Sequence, residues 1–219
     1  MPGWSSGPVS GSCWMAGMLM DVLLASSNAH KAAEFRRIFA GSALRLLLPS
    51  DLRVASLAVA ETGRTFAENA ALKAQAYAQA YRIAALADDS GISVDALAGA
   101  PGIRSARFGA PDLDDAGRVR YLLECLATIP EPQRGAHYTC ALVLALPGEP
   151  PVTAHGYLYG RVAASVADGG TGFGYDPVFY LPVLGRTVSE IAASEKDRIG
   201  HRGRAARALV ATLAATLEV

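Results

Sequence analysis

The sequence predicts a mixed α/β fold with a twisted central sheet. Short apolar runs alternate with segments of helical periodicity, which is the pattern of strands and helices in one layered domain. Two longer apolar runs, at 138–146 and 152–162, are separated by Pro-Gly-Glu-Pro-Pro and predict an antiparallel hairpin. A short connection can join only antiparallel strands, since parallel strands need a long crossover. The hairpin therefore adds an antiparallel pair to the strands that helices connect, which indicates a mixed sheet.

The first part of the chain supplies alternating strands and helices. Ser27 or Asn28 is suited to cap a helix whose apolar face carries Phe35, Ile38 and Phe39. In chain order, the predicted elements are a strand at 22–25, a helix at 31–40, a strand at 44–48, a polar loop at 61–69, an alanine-rich helix ending near residue 81, and a strand at 83–87. This last strand is expected to stop at the Asp-Asp-Ser-Gly that follows, since these residues favour turns.

The second part adds an amphipathic helix, the hairpin and a long final helix. The amphipathic helix buries Val119, Leu122, Leu123 and Leu126. The predicted elements are a turn at 99–102, this helix at 112–127, the two hairpin strands, a glycine-rich loop at 169–177, a capping box at 187–190, and a helix from about 201 to 217.

Composition favours one domain preceded by a segment of different character. A chain of 219 residues, 51% of them apolar, is long enough to form one full core, and we assign residues 21–219 to it. Residues 1–20 carry no charge and are rich in glycine and serine. They are typical of a disordered extension or of a start codon placed too early, since a signal peptide needs basic residues near its start.

Charge and cysteine content exclude several classes of partner. The formal net charge is zero, so no basic surface for nucleic acid is indicated. No apolar run reaches the roughly 18 residues of a membrane-spanning helix. The three cysteines form no paired motif, and their odd number argues against a disulfide framework, so a reducing cytoplasm is expected.

A polar segment lies between the first strand and the first helix. It consists of Ser26, Ser27, Asn28, Ala29, His30 and Lys31. Backbone amides at a helix N-terminus attract phosphate, and the hydroxyls and the lysine add donors. The alternative is ordinary helix capping. The chain has 20 Lys and Arg residues, and all except Lys31, Lys73 and Lys196 are arginine. A lysine carries a compact charge, which suits a polyphosphate.

Two adjacent acids, Asp88 and Asp89, follow a buried strand. Buried acids are costly unless a metal or a cation pairs with them. Successive side chains of a strand point to opposite sides, so one acid faces the site and the other faces away. Mg²⁺ prefers one or two carboxylates plus substrate phosphates. The pair therefore predicts a magnesium site with Glu61 as a further candidate ligand; a solvated turn and pairing with arginine are the alternatives.

Two later segments carry groups that suit the base or the phosphates of a nucleotide. The aromatic loop, as we call it, consists of Phe173, Gly174, Tyr175 and Asp176. Aromatic faces stack on bases, and a carboxylate accepts from base N–H groups. The second segment leads into the final helix and carries Lys196, His201 and Arg202. The backbone amides at the start of this helix add donors for a carbonyl or phosphate oxygen. The alternatives are a packed turn for the loop and a capping or core role for the histidine.

In this order, the motifs resemble the inosine triphosphate pyrophosphatase family over about residues 21–212. The resemblance rests on ETGRTFAENAALKA, ADDSGISVDALAGAPGIRSARF and GGTGFGYDPVFY. It implies a mixed sheet with two lobes flanking a nucleotide cleft, and a homodimer. It also implies hydrolysis of a purine nucleoside triphosphate (dITP, ITP or XTP) to the monophosphate and pyrophosphate, with Mg²⁺ as the cofactor.

The resemblance implies roles for the residues around the phosphates. The polar segment at 26–31 would hold phosphates, and Lys73 and Lys196 would contact phosphates or orient the nucleotide. Asp89 would be the general base or the principal metal carboxylate, and Ser90 would contact the substrate.

At the base, the resemblance implies that residues 173–176 hold the ring and that His201 and Arg202 read its 6-keto oxygen. Gly200 stands where relatives usually have serine before the histidine, which removes one contact to the base. Many relatives have two adjacent acids before the first Thr-Gly; here an alanine precedes Glu61, so one metal ligand is missing.

Two other functions stay open at this point. The related septum-type nucleotide pyrophosphatases also begin with a strand and a Ser-Ser loop, but the paired arginines that open their first helix are absent here. A catalytically inactive nucleotide-binding module is the second alternative, and the intact acid pair and the three lysines argue against it.

Overall fold

The computed structural model describes residues 19–110 and 112–217. The segment predicted to be an extension therefore lies, up to residue 18, outside the described residues. The strands are β1 (Met20–Leu24), β2 (Leu44–Leu47), β3 (Ala85–Val94), β4 (Gly135–Ala145), β5 (Val152–Val162), β6 (Phe179–Leu181) and β7 (Arg186–Thr187). The α-helices are α1 (Ala29–Ile38), α2 (Phe66–Tyr81), α3 (Asp115–Cys125), α4 (Ala193–Ile199) and α5 (His201–Leu217).

The seven strands form one mixed sheet in the order β2-β1-β3-β4-β5-β6-β7. β1 pairs in parallel with β2 and with β3, and every later neighbour pairs antiparallel. β4 and β5 form the long hairpin that the two apolar runs predicted. The mixed α/β class is therefore confirmed.

β3 does not stop where the sequence predicted. It continues through Asp88, Asp89 and Gly91 to Val94, so the expected break at the Asp-Asp-Ser-Gly segment is wrong. β4 pairs with β3 over its whole length and satisfies the backbone groups of these residues. The turn preference of four residues is overridden because the partner strand is long enough to bond all of them.

The alternating side chains of the strands bury two separate core faces. Val22, Leu24, Leu86 and Leu142 pack on one side against α1 and α5. The other side, which includes Leu23, packs against the alanine-rich face of α2. Asp88 and Asp89 follow the same alternation, so adjacent carboxylates point toward different helices.

A third apolar cluster forms a second lobe at the far ends of β3, β4 and β5. Ile92, Leu122, Tyr138 and Phe179 belong to it, and α3 packs there. Of the residues predicted to be buried on α3, Leu123 is only partly buried. The cleft lies between this lobe and the one built on α1, α2 and α5.

The final helix and the capping box follow the prediction, whereas the short strands β6 and β7 and one helix were not predicted. α5 spans the predicted residues, and the capping box of Thr187 and Glu190 is present at a short 3₁₀ turn. The helix α4, which carries Lys196, was not predicted; its N-cap is Ala192, which makes no side-chain bond to the backbone. None of the helices in the described ranges is both long and apolar enough to cross a lipid bilayer.

Candidate active site

A cleft of about 480 Å³ opens between the two lobes. Most of the residues singled out from the sequence line it. They are Ser26, Ser27, Asn28, Lys31, Glu61, Lys73, Asp89, Ser90, Phe173, Gly174, Tyr175, Asp176, His201 and Arg202. Ala29, His30, Asp88 and Lys196 are outside this lining, but His30 and Lys196 both lie over the Phe173 ring.

The polar segment forms the N-terminus of α1. The Asn28 side chain accepts from the backbone N–H of Lys31 at 3.1 Å, so capping takes place as one alternative proposed. The amides of Ala29 and His30 have no acceptor among the described residues. Capping by one side chain therefore leaves two helix-end amides available to an anion.

Asp88 is the centre of a buried ion-pair network on the α1 and α5 side. Its Oδ2 accepts from Lys31 Nζ at 2.8 Å and from Ser90 Oγ at 2.9 Å, and Arg202 Nε lies 3.6 Å away. Burial raises the pKa of Asp88, but Lys31, Arg202 and Lys73 outweigh it and the net shift is well below the usual value. Asp88 is therefore a fixed negative charge that holds cations in place.

Asp89 points to the opposite side, toward α2. Its Oδ2 accepts from Asn69 Nδ2 at 3.1 Å, and its Oδ1 lies 4.0 Å from Lys73 Nζ. Burial raises the pKa of Asp89, and repulsion from Glu61 adds to this, against the attraction of Lys73. A carboxylate whose pKa is raised accepts a proton more readily than an ordinary aspartate.

Lys73 joins three acidic residues at the floor of the cleft. Its Nζ donates to Glu61 Oε1 at 2.7 Å and to the backbone carbonyl of Asp88 at 2.7 Å. Burial lowers the pKa of Lys73, but Asp88, Glu61 and Asp89 outweigh it and the net pKa is raised. The ammonium therefore stays charged.

The donor set suits a magnesium ion that completes its coordination from outside the protein. No cluster of three or more His, Cys, Asp or Glu that could hold a metal exists within the described ranges. Glu61 and Asp89 nevertheless converge on the same lysine and both line the cleft. One or two carboxylates with substrate phosphates and water are the usual Mg²⁺ environment, so the two acids fit this ion.

Glu34 is one of the residues around this site that sequence reasoning missed, and Asn69 beside Asp89 is another. Glu34 is 3% exposed, and its Oε2 lies 3.1 Å from Arg202 Nη1 and 3.7 Å from Lys196 Nζ. Burial of a carboxylate between two cations fixes the position of both. The available signal was its position three residues after Lys31, on the same helix face.

The aromatic loop is held by its own side chains. Asp176 is buried and accepts from the Phe173 backbone N–H at 3.1 Å and from Lys196 Nζ at 2.6 Å. The phenol of Tyr175 is buried as well and donates to the Ser105 carbonyl at 2.8 Å. In this structure Tyr175 and Asp176 are tied into the second lobe.

The Phe173 ring is the part of the loop surrounded by charged and aromatic groups. Lys196 Nζ lies 4.7 Å and Arg202 Cζ 5.1 Å from its centroid. The His30 ring stacks on it at a centroid distance of 5.3 Å. Phe173 therefore joins the aromatic loop to α1 and to the start of α5.

His201 opens α5 and is almost completely buried. Its ring stacks on Tyr138 at 4.6 Å, and its Nδ1 has no hydrogen-bond partner in the described structure. Burial, together with the charges of Arg202 and Lys196, holds the pKa of His201 well below its usual value. The ring is thus neutral and offers one buried nitrogen to a ligand.

Known proteins resemble this chain over most of its length. The model of the Ham1 family matches residues 22–212. The dITP/XTP pyrophosphatase of Geobacillus kaustophilus is 43% identical over 187 residues, 85% of this chain and 91% of the relative. That of Escherichia coli K12 is 40% identical over 197 residues, 89% and 98% of the two chains.

Solved structures show the same relationship. A HAM1 protein from Coxiella burnetii has a TM-score of 0.79 and 35% identity, covering 90% of this chain and all of its own. A nucleoside-triphosphatase, or dITP/XTP pyrophosphatase, from Mycobacterium abscessus has a TM-score of 0.67 and 38% identity, covering 91% of this chain and 100% of its own.

Proposed function

Because this chain belongs to the Ham1 family, we propose that it hydrolyses dITP, ITP and XTP to the nucleoside monophosphate and pyrophosphate. The observation that carries this proposal is that one cleft joins two kinds of site. Lys31, Lys73 and the open N-terminus of α1 suit phosphates, whereas Phe173 and the buried nitrogen of His201 suit a purine base. The relatives named above as dITP/XTP pyrophosphatases support the same activity.

The two adjacent acids, Asp88 and Asp89, are proposed to have different roles. Asp88 lies against Lys31 and Arg202 through its Oδ2, which argues for a positioning role, although its Oδ1 has no hydrogen-bond partner among the described residues. Asp89 faces the cleft with a raised pKa, which suits it to accept the proton of the attacking water or to bind the metal. The phosphate-binding cations favour pyrophosphate as the leaving group because they can hold two phosphates together.

Glu61 and Asp89 would hold the Mg²⁺ ion that this proposal includes. Bound there, the ion supplies neutralisation of phosphate charge. The Lys73 ammonium lies 2.7 Å from Glu61 and 4.0 Å from Asp89, so it holds both carboxylates at the cleft. It also offers a further positive charge to the phosphates. Removal of magnesium with a chelator should abolish turnover, and activity that persists in the chelator would contradict the metal assignment.

Selection of the base is assigned to the start of α5. Inosine and xanthosine carry a 6-keto acceptor where adenosine carries an amino donor. His201 and Arg202 can present donors to that oxygen, and against adenine those donors would remain unpaired, at a cost of about 1–3 kcal/mol for a buried group. ATP is then rejected as much by unpaired donors as by missing attraction.

A homodimer in the cytoplasm completes the proposal. β5 exposes a strip of stacked rings, in which His155 and Tyr159 lie on either side of Tyr157 at centroid distances of 6.4 Å. Tyr159 is 67% exposed, and a second copy of the chain would cover such a strip. Light scattering should show a dimer, and Tyr157→Ser with Tyr159→Ser should shift it to a monomer. The free Cys125 and Cys140 suit a reducing compartment.

A nucleotide panel tests the proposed activity against its two alternatives. ITP, XTP and dITP should each be hydrolysed with a much higher kcat/KM than ATP. Guanine shares the 6-keto oxygen, so rejection of GTP must act on its 2-amino group. Release of pyrophosphate without a preference for ITP, XTP and dITP would favour the septum-type alternative. Binding of ITP without turnover in the presence of Mg²⁺ would favour the inactive module.

A further inference from the structure

The His30 ring stacks on the Phe173 ring, and phosphate binding by the polar segment does not explain this contact. The two ring centroids lie 5.3 Å apart and the ring planes are inclined by 17°. His30 is exposed and belongs to the first turn of α1, whereas Phe173 belongs to the loop of the second lobe. The contact therefore bridges the mouth of the cleft between the two lobes.

Three groups already lie over the Phe173 ring, namely His30, Lys196 and Arg202. A purine can stack on Phe173 only if one of them gives way. Asp176 holds Lys196 at 2.6 Å, and buried Glu34 holds Arg202 at 3.1 Å, so neither cation is free to leave. The His30 ring makes no hydrogen bond within the described structure, so it is the group that yields.

The Phe173 side of the contact is fixed more firmly than the His30 side. Gly174 N–H donates to Asp115 Oδ2 at 2.8 Å, and Phe173 N–H donates to Asp176 at 3.1 Å. The phenylalanine backbone is thus tied on both sides of the ring. An entering base must therefore move the exposed imidazole outward and not the loop.

We propose that His30 is the second wall of the base site, so that the purine is held between the rings of Phe173 and His30. Stacked rings lie about 4.5–7 Å apart, so the present 5.3 Å leaves no room for a base between them. An outward shift of His30 by the thickness of one ring replaces a single ring contact by two. This inference rests on the proposed function and assigns the His30 side chain to the base, while the His30 backbone amide stays available to a phosphate.

The test compares His30→Ala with His30→Phe, with ITP as the substrate and inorganic tripolyphosphate as a competitive inhibitor. Truncation to alanine removes the His30–base contact from the complex and the His30–Phe173 contact from the free enzyme. KM for ITP should therefore rise only by the excess of the base stack over the imidazole stack, about 2- to 10-fold. kcat should change by no more than about twofold, because the contact is made in the ground state as well as in the transition state. His30→Phe should restore most of the lost affinity.

Tripolyphosphate separates the base from the phosphates. It carries no base, so its inhibition constant should be the same in the wild type and in His30→Ala. An equal weakening of tripolyphosphate and ITP would make His30 a phosphate residue and overturn the inference. A KM for ITP that is unchanged or lower in His30→Ala would also overturn it, the lower value meaning that His30 only competes with the base.

Failure of the proposed function has a different signature. If the wild type releases no pyrophosphate from ITP, the proposed reaction itself is wrong. If the wild type is active and His30→Ala matches it, only the second wall is wrong. His30 is exposed and outside the core, so unchanged thermal melting of both variants is the expected control.

Discussion

Replacing each of the two neighbouring acids by asparagine should give opposite results for stability and activity. Asp88→Asn removes a carboxylate that is 1% exposed and pairs with Lys31 and Arg202. Breaking a buried ion pair from one side costs about 3–5 kcal/mol. For a domain of this size each kcal/mol lowers Tm by about 2–4 °C, so we expect a loss of roughly 6–20 °C.

Asp89→Asn should leave Tm within a few degrees of the wild type. Burial raises the pKa of Asp89, so ionisation of this group works against folding and its removal relieves that cost. The asparagine oxygen can still accept from Asn69. Loss of a positioned general base lowers kcat by about 10²–10⁴-fold, and loss of a metal ligand would add to this. The effect on kcat should exceed the effect on KM.

Differential scanning calorimetry and pyrophosphate-release kinetics on both variants check these expectations. The pH dependence gives a second check, because the lowered pKa of Asp88 stabilises the fold above the pKa of the unfolded chain, about 3.9, and this contribution is lost as pH falls through the folded pKa. In Asp88→Asn that part of the acid sensitivity should disappear. A folded Asp89→Asn that keeps more than about a tenth of wild-type kcat would refute the assignment of Asp89.

The network around Arg202 and the start of α5 yields three further expectations. Gly156→Ala would place a Cβ against the His201 carbonyl and the Ala205 amide, so it should lower stability by about 1–3 kcal/mol in chemical denaturation. Glu34→Gln leaves buried Arg202 and Lys196 without their shared carboxylate and should lower both Tm and kcat/KM for ITP; unchanged values would show that the network is dispensable. Arg202→Ala should lower kcat/KM for ITP far more than for ATP, and an equal fall for both would move base reading elsewhere.

The sequence was sufficient for the class of fold because its strongest signals are long. The hairpin runs, the alanine-rich helix and the final helix each extend over nine or more residues and agree with β4, β5, α2 and α5. The length of β3 was not predictable from its own residues. Asp88–Gly91 has turn chemistry, and only the pairing with Leu142, Ala141, Cys140 and Thr139 of β4 keeps it extended.

The site shows the same division between local and tertiary information. The alternation of a strand already separates Asp88 from Asp89, and the structure places them toward α1 with α5 and toward α2. Glu34 looks like an ordinary helix-surface acid until α5 and α4 bring Arg202 and Lys196 against it. The contact of His30 with Phe173 joins residues 143 positions apart, and no local pattern could predict it.

The most direct test of the proposed reaction is the identity of the product released from ITP in the presence of Mg²⁺. The purified chain is incubated with ITP, and pyrophosphate, orthophosphate, IMP and IDP are each quantified. We predict that pyrophosphate and IMP form in equal amounts, with little orthophosphate. Orthophosphate and IDP as the main products would mean that the terminal phosphate is cleaved, and would contradict the proposed reaction.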